Sequence, residues 1–350
     1  MRAPRQKDEV LRIYYSTFIP GLLEPVEEAL RSELPDSRIV LALDGLVAYE
    51  SGAKADVIEK LSFVTNSFYV LKHFEGSDLS SMAAAILKDR ALSFEMPLAL
   101  PRSKTFRVIT SIANQLVAVD NGILEALERK ITANTGLRSH RSKPDFEFWL
   151  AQRSEGHGFF SLRLSHHKAY DKILQKGELR PELANILCRL SEPKPKELFL
   201  DPFAGSGAIP IQRAMGFPEG LVIASDQDER AVELLRERIK DLGLKKRVVV
   251  RRDDAFRLTR YQDGSLHAIV TDPPWGHFAK TEAPITEFYR DMLREFVRLL
   301  RPDGKLVILT AETVALDAAI EQCGRLLILR KFNILLSGKK ACVYVFSRRF

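Results

Sequence analysis

Hydrophobic and polar positions alternate between two periods over the first 75 residues. The stretch RIYYSTF (12–18) is aromatic and β-prone, which is typical of a strand. PGLLEPVEEALRSEL (20–34) instead places apolar residues three and four positions apart, which predicts a helix with one buried face. Two strand-like stretches about Asp44-Gly45, a short helical stretch and SFYVLKHFE (67–75) follow. The order predicts a small α+β unit over residues 1–75.

A second α+β unit is predicted over residues 76–166. KTFRVITSIA (104–113) has the composition of a strand, and PDFEFWLAQRS (144–154) and GFFSLRLS (158–165) alternate as strands do. Between them lies an amphipathic helical stretch in which Asp120 is the expected N-cap and Gly136 the expected C-cap. Residues 167–196 then form a predicted linker with a helix, and EPKPKE (192–197) is typical of an exposed connection.

From residue 197 onward, short continuous apolar runs alternate with amphipathic helical stretches. Runs of this kind are typical of parallel strands that are buried on both faces. Their alternation with helices predicts an α/β fold for 197–350, a doubly wound sheet. The last two strand-like stretches are separated only by SGKK, which predicts a hairpin and hence an antiparallel edge.

Composition and charge narrow the class of protein. Hydrophobic residues make up 45% of the chain and charged residues 28%, as in ordinary globular proteins. Apolar runs fall well short of the roughly 20 residues that span a bilayer. The N-terminus lacks the apolar core of a secretory signal. We therefore expect a cytoplasmic protein without a membrane partner. Three scattered cysteines without a CxxC pattern argue against disulfides and against a zinc site, so no metal is expected.

The positive charge is concentrated in the middle of the chain. Residues 101–200 carry 17 Lys and Arg against 11 Asp and Glu, a net charge of +6. A basic segment of this kind favours a polyanionic partner, RNA or DNA first. A solvated surface without a partner is the alternative, and charge alone leaves both open.

Four predicted strands of the doubly wound sheet end in acids, and this edge of such a sheet is where ligands bind. The acids are Asp201, Asp226, Asp254 and Asp272. Gly205 and Gly207 follow the first strand, where they allow close approach of a ligand to the backbone. Position 210 is a proline, so the dinucleotide fingerprint is incomplete. Asp226 stands where an acid accepts both ribose hydroxyls of an adenosine. An acid after a strand also caps helices, and for Asp254 or Asp228 singly this alternative stays open.

The fourth strand runs into Asp272-Pro273-Pro274-Trp275. Two consecutive prolines fix φ twice and remove two backbone donors, which makes a stiff corner. The corner holds one carboxylate and one large ring at the rim of the sheet. A plain turn with a packing tryptophan is the alternative interpretation.

These stretches together resemble a known family. DPFAGSGAI, ASDQD, RDDA and TDPPWG resemble the S-adenosylmethionine motifs of Rossmann-like methyltransferases, and the last resembles the (N/D)-P-P-(Y/F/W) motif of enzymes that methylate nucleobase amines. The combination resembles THUMP-containing RNA methylases that make N2-methylguanosine in tRNA or ribosomal RNA. IYYSTFIPGLLEPVEEAL resembles their ferredoxin-like domain, and residues 104–165 resemble a THUMP domain. SHHKAYDKILQKGELRPELANIL matches the family's basic and aromatic lead-in only loosely.

The resemblance implies S-adenosyl-L-methionine as the cofactor and assigns roles to residues. Gly205 and Gly207 would border its methionine part, Asp201 its amino group, Asp226 the ribose and Asp254 the adenine amine; Phe203 and Ala255 line the pocket or only pack. Asp272 and the Pro273 carbonyl would accept the two hydrogens of the target amine, with Pro274 adding rigidity and Trp275 stacking on the base.

The implied function is methylation of the guanosine N2 amine in structured RNA. We expect tRNA first and ribosomal RNA second, a monomeric enzyme, and a small activator protein as an optional partner. A DNA adenine or cytosine amino methyltransferase shares the DPPW corner, but that class normally carries a target-recognition insert. A non-catalytic RNA-binding subunit is the alternative from another class. A nicotinamide oxidoreductase is disfavoured by the missing third glycine.

Overall fold

The computed structural model describes residues 11–98, 100–165, 178–275, 285–336 and 338–349. The chain divides into two compact units, Met1–Phe18 with Leu30–Lys168, and Ile19–Ala29 with Ala169–Phe350. In the described part of the chain, no helix has the length and apolar character needed to cross a membrane.

The first four strands form the small α+β unit that the sequence predicts, in the ferredoxin-like arrangement that the family resemblance implies. Their order along the chain is β1 (Arg12–Thr17), α1 (Leu23–Glu33), β2 (Arg38–Leu43), β3 (Leu46–Ser51), α2 (Ala55–Glu59) and β4 (Asn66–Glu75). In the sheet they lie in the order β2-β3-β1-β4, and every neighbouring pair is antiparallel. This βαββαβ order is that of ferredoxin-like folds.

The same sheet continues without a break into the predicted second unit. The further elements are α3 (Leu79–Lys88), β5 (Thr105–Ile112), β6 (Gln115–Leu116), α4 (Asn121–Thr135), β7 (Arg138–Ser139), β8 (Phe146–Gln152) and β9 (His157–Arg163). β4 pairs with β9, and the described strands form one nine-stranded sheet. The predicted caps of α4 are present, since Asp120 accepts from Gly122 N at 2.8 Å and Gly136 has a φ of 75°.

The boundary between the two predicted N-terminal units, after residue 75, remains a prediction from the sequence. The β4–β9 ladder places both parts in one compact unit, because strand pairing joins segments that lie more than 80 residues apart. The sequence carried no sign of this pairing, since period-2 patterning identifies strands but not their partners.

The second unit contains the doubly wound sheet. Its strands are β10 (Leu198–Asp201), β11 (Leu221–Asp226), β12 (Val248–Arg252), β13 (Leu266–Thr271), β14 (Leu300–Thr310), β15 (Leu326–Leu336) and β16 (Lys339–Arg348). They lie in the order β12-β11-β10-β13-β14-β16-β15. β10 to β14 are parallel, β16 is antiparallel to β14, and β15 pairs with β16 at the edge. The predicted fold class and the predicted edge hairpin are both confirmed.

Besides the part of α1 before residue 30, five described helices belong to this unit, and they cover the sheet. They are α5 (Pro181–Leu190), α6 (Ala208–Gly216), α7 (Glu229–Asp241), α8 (Ile285–Leu299) and α9 (Thr313–Cys323). The core below the site lies between α8, α9 and the strands, and Tyr289, Leu293 and Phe296 are fully buried there. This packing fixes the carboxyl ends of β10, β11 and β13 relative to one another.

The predicted linker contains α5, which packs on this unit, and an exposed segment that is fixed at its end. Leu183, Ile186 and Leu187 on α5 are buried, and Asn185 Nδ2 donates to Gln212 of α6. Glu197, the last residue of EPKPKE, is 7% exposed and accepts from the buried Arg213 at 2.9 Å. The segment is therefore fixed at its end, because a buried guanidinium needs a carboxylate partner.

Candidate active site

The loop after β10 brings two glycines to the rim of the sheet, and the two have different neighbours. Gly205 has a φ of 47° and Gly207 one of 86°. A Cβ at Gly205 would meet no atom within 4 Å, whereas one at Gly207 would lie 2.2 Å from Leu235 Cδ1 on α7. Only Gly205 faces open space at the rim. Gly207 has a packing reason to be glycine, a role that the sequence did not separate from ligand contact.

Asp226, at the end of β11, holds the glycine loop in place. Its Oδ2 accepts from Gly205 N and its Oδ1 from Asp228 N, both at 2.9 Å. Each carboxylate oxygen keeps a further lone pair for a ligand hydroxyl. Asp228 is the N-cap of α7 and accepts from Arg230 N at 2.9 Å, so the capping interpretation holds for Asp228.

The tip of β12 lies beside Asp226, and its two predicted residues differ in exposure. Asp253 N donates to the Asp226 carbonyl at 3.3 Å. Asp254 is exposed and accepts from Phe256 N at 2.9 Å, while Ala255 is buried. Asp254 therefore presents a carboxylate at the rim, and Ala255 packs beneath it.

Phe203 belongs to an aromatic cluster under the rim. Its ring centroid lies 5.9 Å from that of Phe288 and 6.5 Å from that of Phe256. The sequence analysis missed Phe256, whose position two residues after the strand-tip acid was its only signal. Phe203 packs in this cluster and keeps part of its ring accessible.

The proline corner follows β13, which pairs in parallel with β10. Thr271, the last residue of β13, is buried and donates through Oγ1 to Asp201 Oδ1 at 2.8 Å. Trp275 Nε1 donates to Asp272 Oδ1 at 3.1 Å, so the ring and the carboxylate of the corner are joined. Pro273 between them is buried. Gly276, which contributed to the sequence resemblance, lies outside the described residues.

Burial gives two carboxyl groups of the site unusual proton affinities. Burial raises the pKa of Asp201 to about 8, with Asp226 and Asp272 raising it further and Thr271 and Phe203 N–H opposing them. Burial likewise raises the pKa of Asp272 to about 7, and the Trp275 N–H opposes the shift. Asp226 and Asp272 thus lie close enough to Asp201 to disfavour its ionised form, and a cationic ligand bound among the three carboxyl groups would offset this repulsion.

A buried hydroxyl pair lies behind the corner. Tyr289 Oη and Thr310 Oγ1 are 2.6 Å apart, and burial raises the pKa of Tyr289 to about 12. Tyr289 is therefore a neutral hydrogen-bonding group, and the Asp272 charge contributes to its shift. The sequence analysis missed this pair, although Thr310 ends β14 as Asp272 follows β13.

The match of residues 168–340 to the family model described as "RMKL-like, methyltransferase domain" agrees with this arrangement of strand tips. This part of the chain is an RMKL-like methyltransferase domain. The family resemblance of the four motifs is thereby confirmed for the half of the chain that carries them.

Three relatives are named as tRNA guanine-N2 methyltransferases. The chain is 30% identical over 206 residues to the tRNA (guanine(6)-N2)-methyltransferase of Thermus thermophilus, covering 58% of this chain and 59% of that protein. It is 33% identical over 148 residues to the tRNA (guanine(10)-N2)-dimethyltransferase of Methanothermobacter thermautotrophicus, covering 42% of each. It is 30% identical over 184 residues to mouse tRNA (guanine(6)-N(2))-methyltransferase THUMP3, covering 49% of this chain and 36% of that protein. The matches span less than two thirds of each relative.

Solved structures match the fold over almost the whole chain. The crystal structure of TrmN from Thermus thermophilus aligns with a TM-score of 0.78 at 23% identity, covering 97% of this chain and 99% of that one. SMU.472, a putative methyltransferase complexed with SAH, aligns with a TM-score of 0.71 at 16% identity, covering 97% and 99%. The likeness confirms the combination of an N-terminal α+β part with a methyltransferase fold.

Proposed function

We propose that this protein transfers a methyl group from S-adenosyl-L-methionine to the N2 amine of a guanosine in tRNA. The observation that carries the proposal is that the glycine loop, Asp201 and the proline corner lie at one edge of the sheet. Gly205 N in the loop donates to Asp226, and Thr271 Oγ1, directly before the corner, donates to Asp201. The RMKL-like domain and the names of its relatives support the reaction class.

The residues present fit the proposed cofactor. Gly205 leaves open space beside the loop, and Asp226 retains lone pairs on both oxygens for ribose hydroxyls. Asp201 stands among carboxyl groups, where the positive charge of the methionine amino group or sulfonium is favoured. Asp254 is exposed at the tip of β12 and available to an adenine amine. When bound, the cofactor supplies an electrophilic methyl group for in-line displacement.

The corner is suited to a weakly nucleophilic amine. The lone pair of guanine N2 is delocalised into the ring, so positioning and redirection of its electrons are the main tasks. We assign Asp272 and the Pro273 carbonyl as acceptors of the two amine hydrogens and Trp275 as the stacking surface. The Trp275 N–H holds the carboxylate in one orientation while leaving its Oδ2 for the base. With a pKa near 7, Asp272 can also take the proton that the methylated, cationic nitrogen releases.

RNA recognition is assigned to the N-terminal part of the chain. The net charge of +6 over residues 101–200 suits a phosphate backbone, and folded RNA is recognised largely by shape and backbone. The relatives with tRNA in their names favour tRNA over ribosomal RNA. We place the enzyme in the cytoplasm as a monomer; its buried free Cys188 and Cys342 suit a reducing compartment.

Methylation assays with separated substrates test this function. Full-length protein is incubated with radiolabelled S-adenosylmethionine and pools of tRNA, ribosomal RNA or duplex DNA, and the products are digested to nucleosides. Label in N2-methylguanosine from tRNA is expected, and Asp272→Asn serves as the inactive control. Label in N6-methyladenosine, or in DNA, contradicts the proposed target while leaving the cofactor assignment intact.

A further inference from the structure

Two imidazoles and one carboxylate lie together on the β4–β9 ladder, in the other compact unit. His73 stands opposite Phe159 in the ladder, and Glu75 stands opposite His157. Residues two apart on a strand share a face, as do residues opposite one another in a ladder. His73, Glu75 and His157 therefore point to the same face of the sheet.

The donor atoms are spaced as ligands of one ion are. His73 Nε2 lies 3.1 Å from His157 Nδ1, and one donor atom from each of the three side chains lies within 4.8 Å of the others. Two ligands held about 2.1 Å from one Zn²⁺ at angles between about 90 and 109° are about 3.0–3.4 Å apart. The nitrogens already have this separation.

The two imidazole rings meet edge to edge, with one ring nitrogen of each facing the other. The rings are nearly coplanar, with an interplanar angle of 17° and centroids 5.3 Å apart, so they now meet as N–H donor and acceptor. An ion would take the place of the shared hydrogen as both rings tip toward it. That hydrogen would move through solvent to the other nitrogen of the donor ring, so that each ring carries one N–H facing away from the ion. His73 and Glu75 are exposed and His157 is half-buried, so the three side chains have room for this movement.

Stacking of the His73 ring on Phe159 keeps His73 near the orientation that the metal site requires. Its ring stacks on Phe159, with centroids 4.9 Å apart and an interplanar angle of 20°. Phe159 is buried and fixed in the apolar cluster on this face of the sheet. One side of the imidazole is thus packed, and its donor nitrogen is directed at His157.

We propose that His73, Glu75 and His157 bind a divalent transition-metal ion, with Zn²⁺ as the best match. Two imidazole nitrogens and one carboxylate suit Zn²⁺, Co²⁺ or Ni²⁺, whereas Mg²⁺ and Ca²⁺ prefer oxygen ligands. Three protein ligands leave a coordination position for water. The ion would link the last residues of β4 to the first residue of β9. This inference is independent of the methyltransferase site.

The expectation of no metal rested on cysteine spacing, which does not register histidines. His73 and His157 lie 84 positions apart and meet only through strand pairing. No motif of local spacing contains them.

Metal titration of the tag-free, full-length, chelator-treated protein tests the site. Zn²⁺ is titrated in competition with a chromophoric chelator, and Co²⁺ is followed by its visible absorption. One ion per chain is expected for the wild type. His73→Ala and His157→Ala should each weaken binding at least about tenfold, and Glu75→Gln should weaken it as well. His140→Ala is the matched control, because His140 is an exposed histidine of the same unit, and binding should be unchanged.

Two results of this titration would overturn the proposed metal site. A wild type that binds no Zn²⁺ in this assay overturns the proposal, and so does equal affinity in the wild type and the His157→Ala variant. Binding through His166 and His167 would survive both histidine substitutions and would therefore count against the site. Circular dichroism of the metal-free variants establishes folding, and Glu75→Gln provides the decision if a histidine variant does not fold.

Discussion

Thr271 donates its hydroxyl hydrogen to Asp201 across 2.8 Å, although the two residues are 70 positions apart. Thr271 ends β13 and directly precedes Asp272, while Asp201 ends β10. The bond thus joins the proposed cofactor side of the site to the proposed base side. Both residues are buried, so loss of the hydroxyl would leave Asp201 with fewer compensating contacts in a low-dielectric place.

Thr271→Val should weaken cofactor binding. The substitution keeps the shape of the side chain but removes a hydrogen bond that favours the ionised form of Asp201, the form that would bind a ligand cation. Hydrogen bonds to charged groups contribute about 1.5–3 kcal/mol, or about 10- to 150-fold in affinity. Calorimetric titration with S-adenosylhomocysteine measures the change. Thr271→Ser keeps the hydroxyl and should bind nearly as the wild type does. Equal affinity in the valine and serine variants would refute the coupling.

Asp201→Asn should stabilise the ligand-free protein at alkaline pH. The folded-state pKa of Asp201 is raised to about 8 from an unfolded value near 4, so the folded state binds its proton more tightly. This contribution is fully present below about pH 4 and is lost as pH rises through 8. The asparagine Oδ1 can accept from both Thr271 and Phe203 N, which donate to the same oxygen in the wild type.

Melting curves at pH 6 and pH 8.5 measure this effect. The variant should gain melting temperature relative to the wild type at pH 8.5, and the gain should be smaller at pH 6. Its cofactor affinity should fall, because the amide carries no charge for the ligand cation. A melting difference that is independent of pH would show that Asp201 titrates normally.

Trp275→Phe separates stacking from hydrogen bonding. Phenylalanine retains a ring for the base but cannot donate to Asp272, and loss of this bond should raise the pKa of Asp272 above 7. Because the ionised carboxylate accepts the amine hydrogens, the rise of kcat/KM with pH should shift to higher pH. We expect about a tenfold loss near neutral pH that shrinks at pH 9, and a larger loss at every pH for Trp275→Ala. Steady-state rates on tRNA across this pH range give the comparison; parallel profiles for Phe and wild type would exclude the link.

Asp226→Ala should lower cofactor affinity by roughly one to two orders of magnitude, through loss of a charged bidentate contact and of the Gly205 N–H partner. Asp228→Ala is the matched control two residues away. It removes the N-cap of α7, which costs about 1 kcal/mol of stability, but it leaves the proposed ribose contact in place. Titration calorimetry and thermal unfolding of both variants distinguish the roles. Loss of affinity in the Asp228 variant alone would exchange the two assignments.

Local sequence patterns predicted the helices and strands of this fold but not the pairing of strands that are distant in sequence. The period of apolar residues identified α4 with its caps Asp120 and Gly136, and the continuous runs identified β10, β11 and β13, because both signals depend on neighbours in sequence. The four strand-tip acids followed from the rule that parallel strands end at one edge.

Contacts that join distant segments could not be read in the same way. The sequence gives Gly205 and Gly207 the same appearance, yet only the position of Leu235 reveals that the second is a packing glycine. Glu197 looked like part of an exposed linker until its pairing with buried Arg213 was visible. The Thr271–Asp201 and His73–His157 contacts depend on strand order, which apolar periodicity does not encode.

The β4–β9 ladder also joins two strands that are made at different times during synthesis of the chain. β4 ends at Glu75 and its partner begins at His157, so a growing chain presents one side of β4 without its partner until about 80 further residues are made. At 5–20 residues per second this takes roughly 4–16 s. An open strand edge of this duration invites pairing with other nascent chains. We therefore expect newly made protein to be most vulnerable to misassembly before residue 163 leaves the ribosome, when most of the RMKL-like domain has not yet been made.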